Sequence, residues 1–327
     1  MPEKGPIIVG SRPSSLAVAQ AQIVIGLLSK ELKMQKNAFK IKKISTEGDV
    51  KSRILQSEFS SKSDFTKAID RSLLEGEIDI AVHSLKDVPI EDKANRGKIV
   101  IVAYPKRDSP FDVLVLKERR AANNSLETLE KNATIGTSSL RRIVQLKAYR
   151  PDLNIVGVRG NVETRIKKLK DRPNYELGGK SLDAIVLAEA GLRRLGLEKE
   201  IVQVIPKDII LPAPGQGCLA VSVRADDKRM INLVSSIDNE ETRVAVTAER
   251  AFANELGGGC NTPVAALATF TKGKKRKITV EGMVANPRYD PDATLEPELI
   301  KERLESETIE DPEELGRELA RMVKSHF

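Results

Sequence analysis

The chain of 327 residues is 40% hydrophobic and carries a formal net charge of +7 at pH 7. This length exceeds what one hydrophobic core usually organises, so we expect two or three domains. Two histidines and two cysteines without ligand spacing nearly exclude a metal bound by those residues, and no apolar run approaches a membrane span. Neither an apolar signal segment nor a disulfide framework is found, which favours a reducing cytoplasm.

Short β-branched segments alternate with amphipathic stretches through the first two thirds of the chain. This alternation predicts an α/β fold with a mainly parallel sheet. The predicted strands are Ile7–Gly10, Ile41–Ile44, Ile78–Val82, Ile99–Ala103, Asp112–Leu116, Thr134–Gly136, Asn154–Val158 and Asp183–Leu187, and the predicted helices include Ser15–Lys30 and Asp64–Leu74.

Two proline-rich segments, Tyr104–Pro110 and Pro206–Gly217, predict crossings between domains. The segment after the second crossing, Cys218–Arg224, is a candidate strand that returns to the first sheet. The chain changes character after about residue 238, where a helix, two strands and an acidic C-terminal helix predict a small α+β domain. The predicted domains are 1–104 with 210–236, 105–209, and 237–327.

Four junctions between a strand and a helix carry arginine: Gly10–Ser15, Gly136–Arg142, Arg159–Arg165 and Gly191–Leu195. Helix N-termini favour anions, and the arginine fork matches a carboxylate or a phosphate. Any one junction is equally explained by ordinary helix capping and a solvated arginine. Four together predict a ligand with several anionic groups, and Arg141 and Arg142 should hold different groups because they diverge around the helix. The glycines match no nucleotide-binding motif.

The segment Ile78–Pro89 predicts a buried strand that opens into a loop bearing Lys86 and Asp87. Pro89 should keep the residue before it extended. Asp87 could stabilise a developing positive charge and accept protons, although a surface Lys-Asp turn explains the pair equally well. His83 is a candidate base or a hydrogen-bonded structural residue.

Cys260 lies in a glycine turn, Leu256–Pro263, without a second thiol or a histidine close by in sequence. Such a thiol indicates either a covalent attachment point or a small buried residue at a tight turn. The basic run Lys272–Lys277 is better explained as a solvated hairpin loop than as a nucleic-acid patch. The aromatic content of 3% leaves little for base stacking.

An ordered set of motifs from about Ile7 to Thr262 resembles the porphobilinogen deaminase (hydroxymethylbilane synthase) family. The motifs are Ser11-Arg-Pro-Ser-Ser-Leu-Ala17, Ala81-Val-His-Ser-Leu-Lys-Asp-Val-Pro89, Gly136-Thr-Ser-Ser-Leu-Arg-Arg142, Arg159-Gly-Asn-Val-Glu-Thr-Arg165, Leu211-Pro-Ala-Pro-Gly-Gln-Gly217 and Gly258-Gly-Cys-Asn-Thr-Pro263. The resemblance implies two α/β domains like those of type II periplasmic binding proteins around a cleft, plus the small C-terminal domain. It also implies a dipyrromethane cofactor, held by a thioether to Cys260.

The same resemblance implies a role for each matching residue. Asp87 would be catalytic, stabilising the azafulvenium cation that forms when porphobilinogen loses ammonia. The cofactor would contact Lys86, Ser138, Ser139, Arg141 and Arg142, and the substrate would contact Arg12, Ser14, Gln20, Lys62, Arg159, Arg165 and Arg194. The chain differs from the commoner family pattern at Glu47, Glu58 and Ser61-Lys62-Ser63. The resemblance assigns these positions to a lid loop, so the differences concern the lid and not the reaction.

These inferences predict a monomeric enzyme whose partner is porphobilinogen, with no metal, nucleic acid or membrane. Two alternatives from other classes stay open at this point. A non-catalytic small-anion binding protein would use the same junctions but leave Cys260 and Asp87 without roles. A nucleic-acid binder would rest on the pI near 9.2 and the basic run.

Overall fold

The computed structural model describes residues 5–45, 63–90, 97–118, 124–171, 181–257, 263–271, 277–285, 297–307 and 310–326. The chain divides into two compact units, Met1–Asp108 with Cys218–Arg243, and Ser109–Gly217 with Val244–Phe327. Two of the three crossings between the units thus fall within or directly after the two proline-rich segments, and the third lies between Arg243 and Val244. The finer division into three domains stays a prediction, because the second unit includes both the second and the third sheet.

The first unit contains a five-stranded sheet in the order β2-β1-β3-β10-β4. β1 pairs in parallel with β2 and β3, whereas β10 runs antiparallel to β3 and β4, so the predicted return strand does lie in this sheet. Its strands are β1 (Ile7–Ser11), β2 (Phe39–Lys43), β3 (Ile80–Ser84), β4 (Ile99–Ala103) and β10 (Leu219–Arg224), and its helices are α1 (Ser15–Glu31), α2 (Ser63–Leu74) and α6 (Lys228–Ser235).

The second unit repeats this arrangement in the order β7-β6-β8-β5-β9. Again three parallel strands are followed by an antiparallel strand and an edge strand. Its elements are β5 (Asp112–Leu116), β6 (Thr134–Gly136), α3 (Leu140–Tyr149), β7 (Asn154–Val156), α4 (Val162–Lys170), β8 (Ala184–Ala188), α5 (Glu189–Arg194) and β9 (Gln203–Val204). This strand order, found twice, is that of type II periplasmic binding proteins, as the family resemblance implied.

The second unit also contains an antiparallel sheet in the order β11-β12-β13. Its elements are α7 (Glu240–Glu255), β11 (Val264–Phe270), β12 (Ile278–Ala285), β13 (Leu299–Ser306) and α8 (Pro312–Lys324). The sequence did not predict β13, because its charged residues mask the alternation of an edge strand. Phe252 of α7 lies so close under Gly282 of β12 that a Cβ there would come within 2.4 Å of its ring.

Apolar side chains cover both faces of the first sheet, which explains why its strands are short hydrophobic runs. Ile7 and Val9 pack with α1 and α6 on one face, and the intervening Ile8 packs with α2 on the other. The loops at the carboxyl ends of the parallel strands are thereby held at one edge of a rigid sheet. Among the described helices, none combines the length and the apolar character that crossing a membrane requires.

Candidate active site

A pocket in the first unit lies at the carboxyl ends of β1 and β3, where parallel strands bring their following loops together. It is lined by Arg12, Ser14, Leu16, Ala17, Gln20, Thr66, Val82, His83, Ser84 and Asp87. Four residues that the sequence predicts to be functional, Arg12, Ser14, Gln20 and Asp87, are therefore brought together. A cation, hydroxyl and amide groups, and one carboxylate face the same small space.

The start of α1 positions the cationic side of this pocket. Ser14 is the N-cap of the helix, and its Oγ accepts a hydrogen bond from the backbone N–H of Ala17 at 3.3 Å. One turn later the buried Gln20 donates from Nε2 to Ser84 Oγ at 2.8 Å, which joins α1 to the end of β3. The half-buried Arg12 lies two residues before the cap and lines the same pocket, and the N-terminus of a helix also favours an anion.

Asp87 ends a short 3-10 turn, Leu85–Asp87, that follows β3 directly. Leu85 is fully buried and anchors the turn, and the N–H of Val88 closes it by donating to the Leu85 carbonyl at 3.0 Å. Val88 is extended at φ −78° and ψ 127°, as Pro89 predicted. Lys86 and Asp87 are both half-buried, and Asp87 lines the pocket.

His83 is buried in the wall of this pocket, and its Nε2 has no hydrogen-bond partner among the described residues. The closest carboxylate oxygen given for it, Asp70 Oδ1, is 3.8 Å away. Burial lowers the pKa of His83 to about 4, Asp87 opposes that change, and Arg12 adds to it. The imidazole is therefore neutral near pH 7, so Asp87 and not His83 is the charged partner available to a cation.

In the second unit, Arg141 and Arg142 lie in the first turn of α3, and both contact the buried carboxylate of Asp112. Arg141 Nη2 is 2.8 Å from Asp112 Oδ2, and Arg142 Nη2 is 2.7 Å from Oδ1. Within the protein the two arginines thus share one carboxylate, and the expectation that they hold different groups of a ligand stays a prediction. Their Cα atoms diverge around the helix, but the long side chains reach the two sides of one carboxylate. With 6% and 5% exposure, they leave only an edge to a ligand.

Most of the other predicted residues of this unit lie in two places, around the start of α4 and directly before α3. Asn161 caps α4 by accepting from the N–H of Thr164 at 2.8 Å, and Arg165 Nε donates to the Gly160 carbonyl at 2.8 Å. Gly160 has a φ of 114°, which favours glycine there. The side chain of Arg159 is half-buried beside this turn, whereas Ser138 is exposed and Ser139 makes no side-chain cap on α3.

Arg194 does not lie at the junction between a strand and the start of a helix, where the sequence predicted it. It lies at the last residue of α5 and not near its N-terminus, and its Nη2 donates to the Gly217 carbonyl at 2.7 Å. The strand before α5 continues to Ala188, so the helix begins at Glu189 and its arginines fall in the last turn. A basic residue there complements the helix dipole instead of joining the helix N-terminus in binding an anion.

Several predicted residues lie outside the described part of the chain: Glu47, Glu58, Ser61, Lys62, Cys260 and residues 272–276 of the basic run. Their roles stay predictions. Within the described residues, no group of three or more histidine, cysteine or acidic side chains is placed to hold a metal ion.

The sequence analysis missed three buried polar residues that organise the second unit: Asp112, Gln216 and Glu249. Gln216 Nε2 donates to Asp112 Oδ1 at 3.0 Å, and Glu249 accepts from the N–H groups of Gly215 and Ala268 at 2.7 and 2.9 Å. For the two acids, Asp112 and Glu249, the sequence held one signal, since each lies in an otherwise apolar segment. A carboxylate is almost never fully buried unless it is paired, so such an acid indicates a partner elsewhere in the chain.

Each of the two five-stranded sheets places arginine and helix-capping residues on loops at its edge, and one site adds a carboxylate. Together these features define a protein of the periplasmic-binding-protein fold class with sites suited to a ligand that carries several carboxylates. The chain belongs to the porphobilinogen deaminase family. The family model described as "Porphobilinogen deaminase, dipyromethane cofactor binding domain" matches residues 7–232, and that of the C-terminal domain matches residues 243–325.

Curated relatives support this assignment over nearly the whole chain. Porphobilinogen deaminase of Syntrophomonas wolfei is 42% identical, covering 96% of this chain and 94% of the relative. The proteins of the same name from Pelotomaculum thermopropionicum and Clostridioides difficile are 46% and 39% identical and cover 87% and 98% of this chain, and 85% and 98% of their own lengths. A substrate-binding domain of a putative amino acid ABC transporter from Streptococcus pneumoniae is similar over 77% of this chain and 95% of that one, at 14% identity and a TM-score of 0.41. The alternative of a non-catalytic binding protein gains no support.

The family's dipyrromethane cofactor carries pyrrole N–H groups and several carboxylates, and the donor set of the described sites fits such a group. Asp87 can accept from ring N–H groups, while Arg12, Ser14 and Gln20 line the same pocket and can donate to carboxylates. In the second unit, Arg141 and Arg142 form a buried cationic pair at the start of α3.

Proposed function

We propose that this chain condenses four porphobilinogen molecules head to tail on a covalently attached dipyrromethane. Each addition releases ammonia, and hydrolysis finally releases hydroxymethylbilane, a precursor of tetrapyrroles such as haem. The observation that carries the proposal is the pocket that joins Asp87 to Arg12, Ser14 and Gln20 in a chain of this family. The pocket offers a negative charge for a cation and donors for carboxylates in one place.

Asp87 is the proposed catalytic residue. When the aminomethyl group of porphobilinogen leaves as ammonia, the electron pair of the pyrrole nitrogen stabilises the remaining carbon, and the ring becomes cationic. A carboxylate that accepts a hydrogen bond from the ring N–H lowers the energy of this charge. The same carboxylate would take up the proton that the attacking ring loses when its aromaticity is restored. His83 stays neutral and does not compete for this role.

The arginines and hydroxyl groups are proposed to bind the acetate and propionate side chains. Arg12, Ser14 and Gln20 would hold the substrate in the first unit, together with Lys62, which lies outside the described residues. In the second unit, Arg159, Arg165 and Arg194 would contact further substrate carboxylates, and Lys86, Ser138, Ser139, Arg141 and Arg142 would contact those of the cofactor. When bound through Cys260, the dipyrromethane supplies the free pyrrole carbon that attacks the first substrate. Binding the carboxylates fixes the rings, so that the reacting carbons are held close together.

Intact-mass measurement of protein purified from cells tests the proposal. The parent should carry an added mass equal to two deaminated pyrrole rings, and Cys260→Ser should carry none. Cys218→Ser is the matched control, because the Cys218 thiol is buried next to the Leu219 carbonyl in the first unit and should be dispensable for attachment. A bare mass in the parent that stays bare after incubation with porphobilinogen, or an added mass in Cys260→Ser, would reject the proposal.

We further propose that the protein acts as a monomer in the cytoplasm and without a metal ion. The two cysteines favour a reducing compartment, and the chemistry requires no electron acceptor because the pyrrole ring supplies its own electrons. Light scattering of the holoenzyme should give one chain per particle, and turnover should survive dialysis against a chelator. A dimer mass, or activity that returns only on addition of a metal, would contradict this.

A further inference from the structure

Asp112 is fully buried at the first position of β5, accepts hydrogen bonds from two side chains at Oδ1 and forms an ion pair with a third at Oδ2. Arg142 donates to its Oδ1 from Nε at 3.1 Å and from Nη2 at 2.7 Å, while Arg141 Nη2 lies 2.8 Å from Oδ2. Gln216 Nε2 also donates to Oδ1 at 3.0 Å. A single carboxylate thus fixes two guanidinium groups from opposite sides.

The remaining contacts of the two arginines are neutral. Arg141 Nη1 donates to the Leu211 carbonyl at 2.7 Å, and Arg142 Nη1 donates to the Val186 carbonyl at 2.8 Å. No second carboxylate joins them among the contacts of the described residues. Burial lowers the pKa of Arg141, and Asp112 is the group that opposes this change. Two guanidinium groups, which proteins do not deprotonate, beside one carboxylate give the buried cluster one net positive charge.

We infer that Asp112 is a positioning residue that prepares Arg141 and Arg142 to bind one carboxylate of the cofactor. Two guanidinium groups so close together repel each other, and without a shared counter-ion their buried side chains would turn apart. With Asp112 the pair is held in place before a ligand arrives, and its single excess charge matches one carboxylate group. Gln216 fixes the counter-ion, because its Nε2 also donates to the Pro110 carbonyl at 2.6 Å. The inference rests on the proposed cofactor contacts of the two arginines.

Rescue by added formate distinguishes the contribution of the Asp112 charge from that of the side-chain shape. Asp112→Ala removes a carboxylate and leaves space that formate can fill, whereas Asp112→Asn keeps the shape and fills that space. Both variants should melt at least about 6 °C below the parent, because an uncompensated buried cation costs several kcal/mol. Sodium formate, compared with sodium chloride at equal ionic strength, should restore most of the lost Tm in Asp112→Ala only.

The matched control is Asp152→Ala, because Asp152 also accepts two donors from one arginine, Arg150, but that pair is partly exposed. It should lose little stability and gain nothing specific from formate. If formate raises the Tm of Asp112→Ala no more than that of the control, or rescues Asp112→Asn equally, the positioning role is wrong.

Cofactor loading gives a second readout that a merely structural role would not follow. The fraction of chains with the added mass should fall at least about tenfold in Asp112→Ala and recover when formate is present during reconstitution with porphobilinogen. If Asp112→Ala does not fold, Gln216→Met still tests the inference, with an expected severalfold loss of loading and a smaller loss of Tm than in either Asp112 variant. Full loading of Gln216→Met and of any folded Asp112 variant would overturn it. An unloaded parent would instead reject the proposed function, while the rescue of Tm still reports on the positioning of the arginines.

Discussion

At the scale of single residues, a substitution of Asp87 tests the proposed catalysis separately from cofactor binding. Asp87→Asn keeps the size of the side chain but removes its negative charge, so the substrate-derived cation loses its counter-ion. We expect turnover to fall at least about 100-fold, with the covalent cofactor retained. The rate of porphobilinogen consumption and the intact mass of the same sample check both statements.

Asp87→Glu is the matched control for this experiment, because it restores the charge on a longer side chain. It should recover part of the activity. Near-normal turnover of Asp87→Asn would remove this carboxylate from catalysis, whereas loss of the cofactor from that variant would assign it to assembly.

His83 predicts how stability depends on pH. Its pKa is lowered from 6.5 to about 4 in the folded protein, chiefly by burial. Between these values the unfolded chain binds more protons than the folded one, so stability falls as the pH is lowered through this window. The contribution of this group at the acid end is roughly 3 kcal/mol, since each pKa unit corresponds to about 1.4 kcal/mol.

His83→Gln cannot titrate, so the variant should lose roughly 3 kcal/mol less than the parent between about pH 7 and pH 4. Urea unfolding across this range measures the difference. The comparison near pH 8, where the parent imidazole is neutral in both states, gives the cost of the substitution itself. Parallel pH profiles for the two proteins would show that the buried imidazole does not control acid stability.

At the scale of elements, the buried Glu249 joins α7 to two other segments. Its Oε2 accepts from the N–H of Gly215, in the loop before the return strand, and its Oε1 accepts from the N–H of Ala268 in β11. In Glu249→Gln one oxygen becomes an NH₂ group that faces a donor, so one N–H loses its partner. We expect the loss of about 1–3 kcal/mol of unfolding free energy, measured by urea denaturation.

Glu240→Gln, at the exposed start of the same helix, is the control and should change stability by less than about 0.5 kcal/mol. Because α7 leads toward Cys260, cofactor loading should also fall in Glu249→Gln but not in the control. Equal stability of the two variants would show that the loop contact is dispensable.

The sequence predicted those elements whose apolar pattern is local. β4, β5 and β6 were predicted with their observed bounds, and the helix capping expected at the arginine junctions is found at Ser14 and Asn161 because an N-cap acts over a short range. The edge strand β13 was missed because its exposed side chains are charged. The sequence also could not predict which side chains pair, since the contact of Asp112 with Arg142 joins residues 30 positions apart. Such pairs depend on tertiary packing and have no local pattern.

At the scale of the whole molecule, the net charge of +7 contributes less to function than the arginines placed in each unit. Porphobilinogen carries two carboxylates and one ammonium group at neutral pH, so its net charge is small and long-range attraction to a basic protein is weak. The field of exposed charges is also screened within about 10 Å at moderate salt. Recognition should therefore depend on contacts at hydrogen-bond distance.

Replacing Lys272, Lys274, Lys275 and Arg276 by glutamine removes four charges and takes the net charge from +7 to +3. Lys277 is kept because its Nζ pairs with Glu307 at 2.6 Å. We expect kcat/KM for porphobilinogen to change by less than about twofold, while Arg12→Gln, which removes one charge, should lower it at least about tenfold. A larger effect of these four charges would mean that the overall field steers the substrate. Salt-dependent DNA binding by the parent that disappears in the fourfold variant would instead give the basic run a partner of its own.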